Sequence, residues 1–295
     1  MEVRLLRYFL AVAREGSISA AAKSMHITQP TLSKQLKDLE EDLGAQLLIR
    51  GSKRITLTDE GHLFRKRAQE IIELIEKTQS EIKTDCVGGD IYIGCGETEG
   101  MRLITKIMHT MQQDYPSVHF HLFSGNATDV MERLDKGLLD FGVLVGTSDL
   151  PNYDSIQLPF QDVRGLVMRK DNPLAKLDAI KPEDLGNTPI IAARNETMRR
   201  VISEWMGKDF DSLNIVATFN LIFNAALMAE EGIGCVLALD GLIKDTEDSI
   251  LCFKPFKPTI EVGLSLVWKK HQAFSQASTK FLELIKACCH NNNTP

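Results

Sequence analysis

The chain is 295 residues long, enough for two domains, or three small ones, each with its own core. Its 43% hydrophobic and 25% charged residues are ordinary for a globular protein, and no apolar run approaches the ~18–20 residues of a membrane span, so no membrane partner is expected. A formal net charge of −6 excludes a bulk nucleic-acid coat. The charge is unevenly spread: residues 1–58 hold nine Lys and Arg against six Asp and Glu, while residues 86–295 hold 20 against 27. A positive head on an acidic body suits a head that meets phosphate and a body that does not. The N-terminus, MEVRLLRYFLAVAREGS, is charged throughout and lacks the apolar stretch of a signal peptide. The six cysteines are scattered, with no C-x-x-C, as reduced thiols would be. These features point to the cytoplasm.

Residues 2–15 place Leu5, Leu6, Phe9, Leu10 and Ala13 at i, i+3, i+4 spacing, which predicts an amphipathic helix ended by Gly16. Ser17 or Ser19 caps the next helix, and Ala20, Ala21 and Ala22 are small enough for another helix to come close. Met25, His26 and Ile27 make a turn. Thr28 then caps a third helix, with Pro30 in its first turn, where a missing N–H costs little. Leu32, Leu36, Leu39 and Leu43 give that helix one apolar face. Gln29, Thr31, Ser33, Lys34 and Lys37 point largely elsewhere. Its later acidic run, Glu40, Glu41 and Asp42, would be repelled by phosphate, so only the first half is expected to approach DNA. Two short β-like runs, 46–49 and 55–57, surround a basic tip of Arg50, Lys53 and Arg54 that could reach phosphates or the minor groove. This is the layout of a winged helix-turn-helix.

From 58 to about 85 the pattern predicts one long helix, roughly 38 Å at ~1.5 Å per residue. Phe64, Ala68, Ile71, Ile75, Thr78 and Ile82 form a heptad-like seam on it, and its remaining surface is charged. A narrow apolar stripe on a helix of this length wants a partner, most simply the same helix of a second copy. After the break at Val87, Gly88 and Gly89, strands are expected at 91–95, 118–123 and 141–145, with helices at 101–113 and 128–136 between them. A second run follows: strands at 166–168, 189–192, 214–218, 234–237 and 264–268, and helices near 198–206, 222–230 and 274–287. Such alternation predicts a parallel sheet covered on both faces.

Over nearly its whole length the chain resembles the LysR-type transcriptional regulators. The resemblance is carried by Ala20–Ala22, by the run Thr28-Gln29-Pro30-Thr31-Leu32-Ser33-Lys34-Gln35-Leu36, and by Leu39-Glu40-Glu41-Asp42-Leu43-Gly44. It continues through 47–50 and through Leu57-Thr58-Asp59-Glu60-Gly61. Thr28 stands where the family usually has Ser, a chemically equivalent cap. Downstream the match is looser, at 89–94, Tyr115-Pro116, 137–140, 172–174 and 232–234. The resemblance implies a winged helix-turn-helix over 1–58, a linker and dimerisation helix over 59–86, and an effector-binding domain over 87–295. That domain would have two Rossmann-like α/β lobes, as in periplasmic binding proteins. Lobe 1 is expected at about 87–162 with 266–295, and lobe 2 at about 163–265. A homodimer, commonly a tetramer, would read an interrupted palindrome in promoter DNA, with RNA polymerase as a further partner and a small molecule as the switch.

On this reading Thr28, Gln29, Pro30, Thr31, Ser33, Lys34, Arg50, Lys53 and Arg54 are the DNA-facing residues, since Gln pairs well with adenine and Lys with guanine or phosphate. Phe64, Ala68, Ile71, Ile75 and Ile82 are the dimerisation set. For the effector, Gly96 and Thr98 follow the first strand of the α/β half and open a helix, a natural anion anchor. Glu97 and Glu99 beside them either turn outward or meet a cationic ligand. Asn126, Thr128, Gly146, Arg194, Thr197 and Asn220 are expected around the same cleft; plain helix capping is the alternative for each. His119 and His121 share a strand face without nearby Cys or carboxylate at ligand spacing, so no metal is expected. There is no nucleophile elbow, Walker loop or telling carboxylate pair, so neither catalysis nor a cofactor is expected. Two rival readings remain, a solute receptor and an α/β enzyme with an appended DNA-binding head. The basic head and the uncharacteristic N-terminus count against the first, and ligand turnover would mark the second.

Overall fold

The computed structural model describes residues 1–51, 54–82, 87–146 and 150–291. The chain divides into two compact units, Met1–Lys83 and Thr84–Pro295. Among the described residues, no helix is long and apolar enough to cross a membrane.

The first unit opens with α1 (Val3–Glu15), α2 (Ile18–Ser24) and α3 (Gln29–Leu43). Ser17 caps α2 by accepting from the Ala20 N–H, and Thr28 caps α3 by accepting from the Thr31 N–H. Gly16 and Gly44 end α1 and α3 in the left-handed conformation, which glycine adopts without strain. Phe9, Val12, Ala21, Leu32, Leu36 and Leu39 bury together, each large side chain contributing about 1.5–3 kcal/mol. Ala21 and Ala22 are in this core, whereas Ala20 is exposed. Strands β1 (Leu48–Arg50) and β2 (Ile55–Leu57) pair antiparallel as the expected wing. Thr58 accepts from the Gly61 N–H and so starts α4 (Asp59–Ile82). A Cβ on Gly61 would lie 2.1 Å from the Leu47 carbonyl oxygen, so only glycine lets α4 start this close to the wing. The end of the expected long helix, 83–86, lies outside the described residues.

In the seam expected on α4 the structure brings a correction. Phe64 packs edge-on against Phe9, ring centroids 4.9 Å apart, and Ala68 is fully buried with Leu6 and Ile72. Both are spent on α1 of the same chain. The apolar residues that α4 leaves outward are Leu63 at 60%, Ile71 at 37%, Leu74 at 41% and Ile82 at 78% exposure, with Ile75 half-buried.

The second unit has two lobes on one continuous nine-stranded sheet. Lobe 1 comprises β3 (Gly89–Cys95), α5 (Met101–Asp114), β4 (Val118–Ser124), α6 (Ala127–Asp135) and β5 (Phe141–Val145). The long strand β6 (Tyr153–Arg169) then leads into lobe 2, with α7 (Pro182–Leu185), β7 (Ile190–Ala193), α8 (Glu196–Met206), β8 (Ile215–Phe219), α9 (Ile222–Glu230), β9 (Cys235–Leu239) and β10 (Leu251–Pro255). Strand β11 (Glu261–Lys269) returns to lobe 1, and α10 (Gln276–Asn291) closes on it. Helices cover both faces of each lobe. In lobe 1, α5 and α10 pack around Phe141 and Phe281, and α6 packs from the other side through Val130 and Leu134.

Strands β3, β4 and β5 are parallel, as are β7, β8 and β9. These parallel strands are joined by two crossing strands that run antiparallel to their neighbours. β11 runs antiparallel to β5 and β6, and β6 runs antiparallel to β9 and β10. The reason is topological: a strand entering lobe 2 and one returning from it must run in opposite directions. The return also shifts a lobe boundary. Leu264 and Ser265, expected in lobe 2, pair with β5, and Leu264 is buried in the lobe 1 core.

Candidate functional sites

The first site is the outer face of the head. Gln29, Pro30, Thr31 and Lys34 are exposed along the first turns of α3, and Ser33 is half-buried. The Thr28 and Thr31 hydroxyls are 2.8 Å apart, so both already serve the helix start. Arg50 Nη1 donates to Ser33 Oγ at 3.4 Å, which ties the wing to the middle of α3. Arg54 is exposed in the turn between β1 and β2, and the neighbouring Ile55 N–H donates to the Gly16 carbonyl at 2.9 Å. Lys53 lies outside the described residues. The acidic stretch has a role that charge alone does not reveal. Glu40 Oε1 accepts from the Leu47 and Leu48 N–H groups at 2.7 and 2.9 Å, holding the start of the wing onto α3. Glu41 pairs with Lys37 one turn back.

The second site is a cleft of about 130 Å3 between the lobes of the α/β unit. Of the expected effector residues, Gly96, Asn126, Arg194 and Asn220 line it. Thr128 and Thr197 instead line a neighbouring recess that they share with Asn126 and Arg194. Thr98 is a correction. It is only 6% exposed, and its hydroxyl donates to Asp162 Oδ2 at 2.6 Å while accepting from the Gly100 N–H at 3.0 Å. It therefore braces the strand crossing and does not face the cleft. Gly146 is also outside the lining; its N–H donates to the Gly263 carbonyl at 2.9 Å, tying the end of β5 to β11. Asn126 and Asn195 spend their side-chain oxygens capping α6 and α8.

Both acids after β3 turn out to serve helix ends. Glu99 pairs with Arg102 in the first turn of α5. Glu97 lines the cleft from lobe 1 and accepts the N–H of Ile222, the first residue of α9 in lobe 2. α9 has no side-chain cap of its own, so this acid from the opposite lobe supplies one. Arg164 was missed in the sequence. It sits on β6, lines the cleft, and its Nε is buried with no hydrogen-bond partner among the described residues. Burial lowers its pKa, and burial likewise raises that of Asp162 two residues earlier, against the opposing Thr98 bond. A lone arginine entering the run Gly165-Leu166-Val167-Met168 was the available signal. His119 and His121 are exposed on β4, and His121 stacks on Tyr92 and bonds Asp90 at 3.1 Å.

Residues 3–62 match the family described as "Bacterial regulatory helix-turn-helix protein, lysR family", and residues 87–289 match "LysR substrate binding domain". The chain is 32% identical to the HTH-type transcriptional regulator BsdA of Bacillus subtilis over 222 residues, covering 73% of this chain and 74% of that protein. It is 29% identical over 290 residues to a probable RuBisCO transcriptional regulator of Cyanophora paradoxa, covering 95% and 90% of the two chains. To the Hca operon transcriptional activator HcaR of Escherichia coli it is 27% identical, covering 97% of each. Among solved structures, full-length CbnR in complex with its target DNA shares the fold, with a TM-score of 0.76 at 22% identity over 98% of this chain and 100% of that one. The chain belongs to the LysR-type transcriptional regulators: it is a DNA-binding regulator with an effector-binding domain, from a family of regulators and not of enzymes.

Proposed function

We propose that the chain binds an interrupted palindrome in promoter DNA as a homo-oligomer, a dimer through α4 and by pairing of dimers a tetramer, and works in the cytoplasm with RNA polymerase as its downstream partner. In this reading Gln29, Pro30, Thr31, Ser33 and Lys34 enter the major groove behind the Thr28 cap, and Arg50, Lys53 and Arg54 hold phosphates. The observation that carries it is the bond from Arg50 to Ser33, which sets a wing cation beside the exposed start of α3. A small molecule in the interlobe cleft, near Gly96, Asn126, Arg194 and Asn220, changes the balance between two lobe arrangements. The Glu97–Ile222 contact favours the one described here, and a ligand shifts the balance only by binding one arrangement better.

Fluorescence anisotropy on a duplex from the region upstream of its own gene tests the DNA contacts. Gln29→Ala and Lys34→Ala should each weaken binding about tenfold, the usual value of a well-placed base contact, and Gln29→Ala should also relax base preference. Equal affinity of the wild-type protein for this duplex and a scrambled one would refute the assignment.

A further inference from the structure

Arg164 is a charged group held where water cannot fully serve it. Its Nε is buried without a hydrogen-bond partner among the described residues. The acid whose charge acts on it, Asp162, is itself fully buried, with one oxygen occupied by the Thr98 hydroxyl. Burial works against the charge on both side chains, so neither is fully compensated by the other. An incompletely paired cation costs stability, and a guanidinium fork is shaped to accept a carboxylate in two parallel hydrogen bonds.

The surroundings fit one kind of visitor. Val145, Leu237 and Leu239 give the cleft apolar walls, and Phe219 adds an aromatic one. Arg194, exposed at the same lining, adds a second positive charge. The acid in the lining, Glu97, is engaged by the Ile222 N–H. The volume, about 130 Å3, is close to the ~150 Å3 cavity known to take one benzene ring.

We propose that the effector is a small organic acid, of one ring or a short chain, whose carboxylate pairs with Arg164 while its apolar body lies against the cleft walls. This rests on the reading of the cleft as the effector site. Arg164 is then a ligand-binding residue, kept at some cost to the empty protein.

Thermal shift on the full-length protein tests this, using phenylacetate, hexanoate and other one-ring and short-chain acids, each beside its neutral amide. Acids of the panel should raise the melting temperature of the wild type by several degrees, and the amides should not. Arg164→Gln should lose the acid response, and Arg164→Lys, which keeps the charge but not the fork, should keep part of it. A structural arginine would behave otherwise: Arg164→Gln would keep the acid response. Such a result, an equal response to acid and amide, or no response to any acid of the panel would overturn the proposal. The exposed cleft residue Asn220, replaced by Trp to fill the cleft, separates the two levels of the claim. A response that survives Arg164→Gln but is lost in Asn220→Trp refutes the acid and keeps the cleft. A response that survives both places binding elsewhere and removes the cleft reading itself.

Discussion

Tyr153 shows how single residues hold the crossing between lobes. Its hydroxyl donates to Asp135 Oδ1 at 2.8 Å, joining the start of β6 to the last residue of α6. Burial, with the bond and charge of Asp135 added, pushes its pKa up to about 12. A group whose folded pKa is raised contributes fully below its unfolded value and loses that contribution as pH rises through the folded one. Since Asp135 is largely exposed, the bond is worth about 1 kcal/mol. Tyr153→Phe should therefore be about 1 kcal/mol less stable than wild type at pH 7–9, with the gap closing as pH rises from about 10 to about 12. Denaturant melts across that range check this, and a gap that stays constant would refute it. Contacts of this kind were invisible beforehand, as were those of Glu40 and Thr98. Sequence spacing says that Thr98 follows a strand, but not whether its hydroxyl turns to the cleft or to Asp162, 64 residues away. Glu40 was read only as unsuited to phosphate, and its bonds to Leu47 and Leu48 depend on the wing folding back onto α3.

Elements were more legible than residues because periodicity is a local signal. The strand expected at 141–145 and the helix expected at 222–230 have those bounds in the structure. β6 was read only at 166–168, because its first half, Tyr153-Asp154-Ser155-Ile156-Gln157-Leu158, mixes in polar residues and Pro159 follows it. The proline falls in a bulge of the β6–β11 pairing, between Leu158 opposite Leu264 and Gln161 opposite Gly263, a place that suits a residue lacking an N–H. On α4 the apolar spacing mixed residues packed within the chain with residues left outward. Phe64, Ala68 and Ile72 face α1, and Ile71, Leu74 and Ile82 remain outward. Substitutions should separate the two. Leu74→Glu and Ile71→Glu should dissociate the proposed oligomer in sedimentation runs with little change in monomer stability. Phe64→Ala should cost the head roughly 2 kcal/mol or more by emptying a packed site. Dissociation by Phe64→Ala without loss of stability would return Phe64 to the shared seam.

At the scale of the whole molecule, charge had already separated a basic head suited to phosphate from an acidic body, and the family resemblance alone implied that the body takes a ligand. The cleft was foreseen in position, through Gly96, Asn126, Arg194 and Asn220, but not in character. Its character comes from Arg164 and from the Glu97–Ile222 contact, pairs brought together by strand crossing over distances that periodicity cannot span. The central claim is that the basic wing and the start of α3 bind DNA through phosphate neutralisation and base contact. It is tested most directly by the salt dependence of binding to the upstream duplex, comparing wild type with Arg50→Ala and Arg54→Ala. The logarithm of the binding constant should fall linearly with the logarithm of salt concentration, and each substitution should reduce that slope by about 1 per bound head. A slope near zero in the wild type, or one that neither substitution alters, would contradict the assignment.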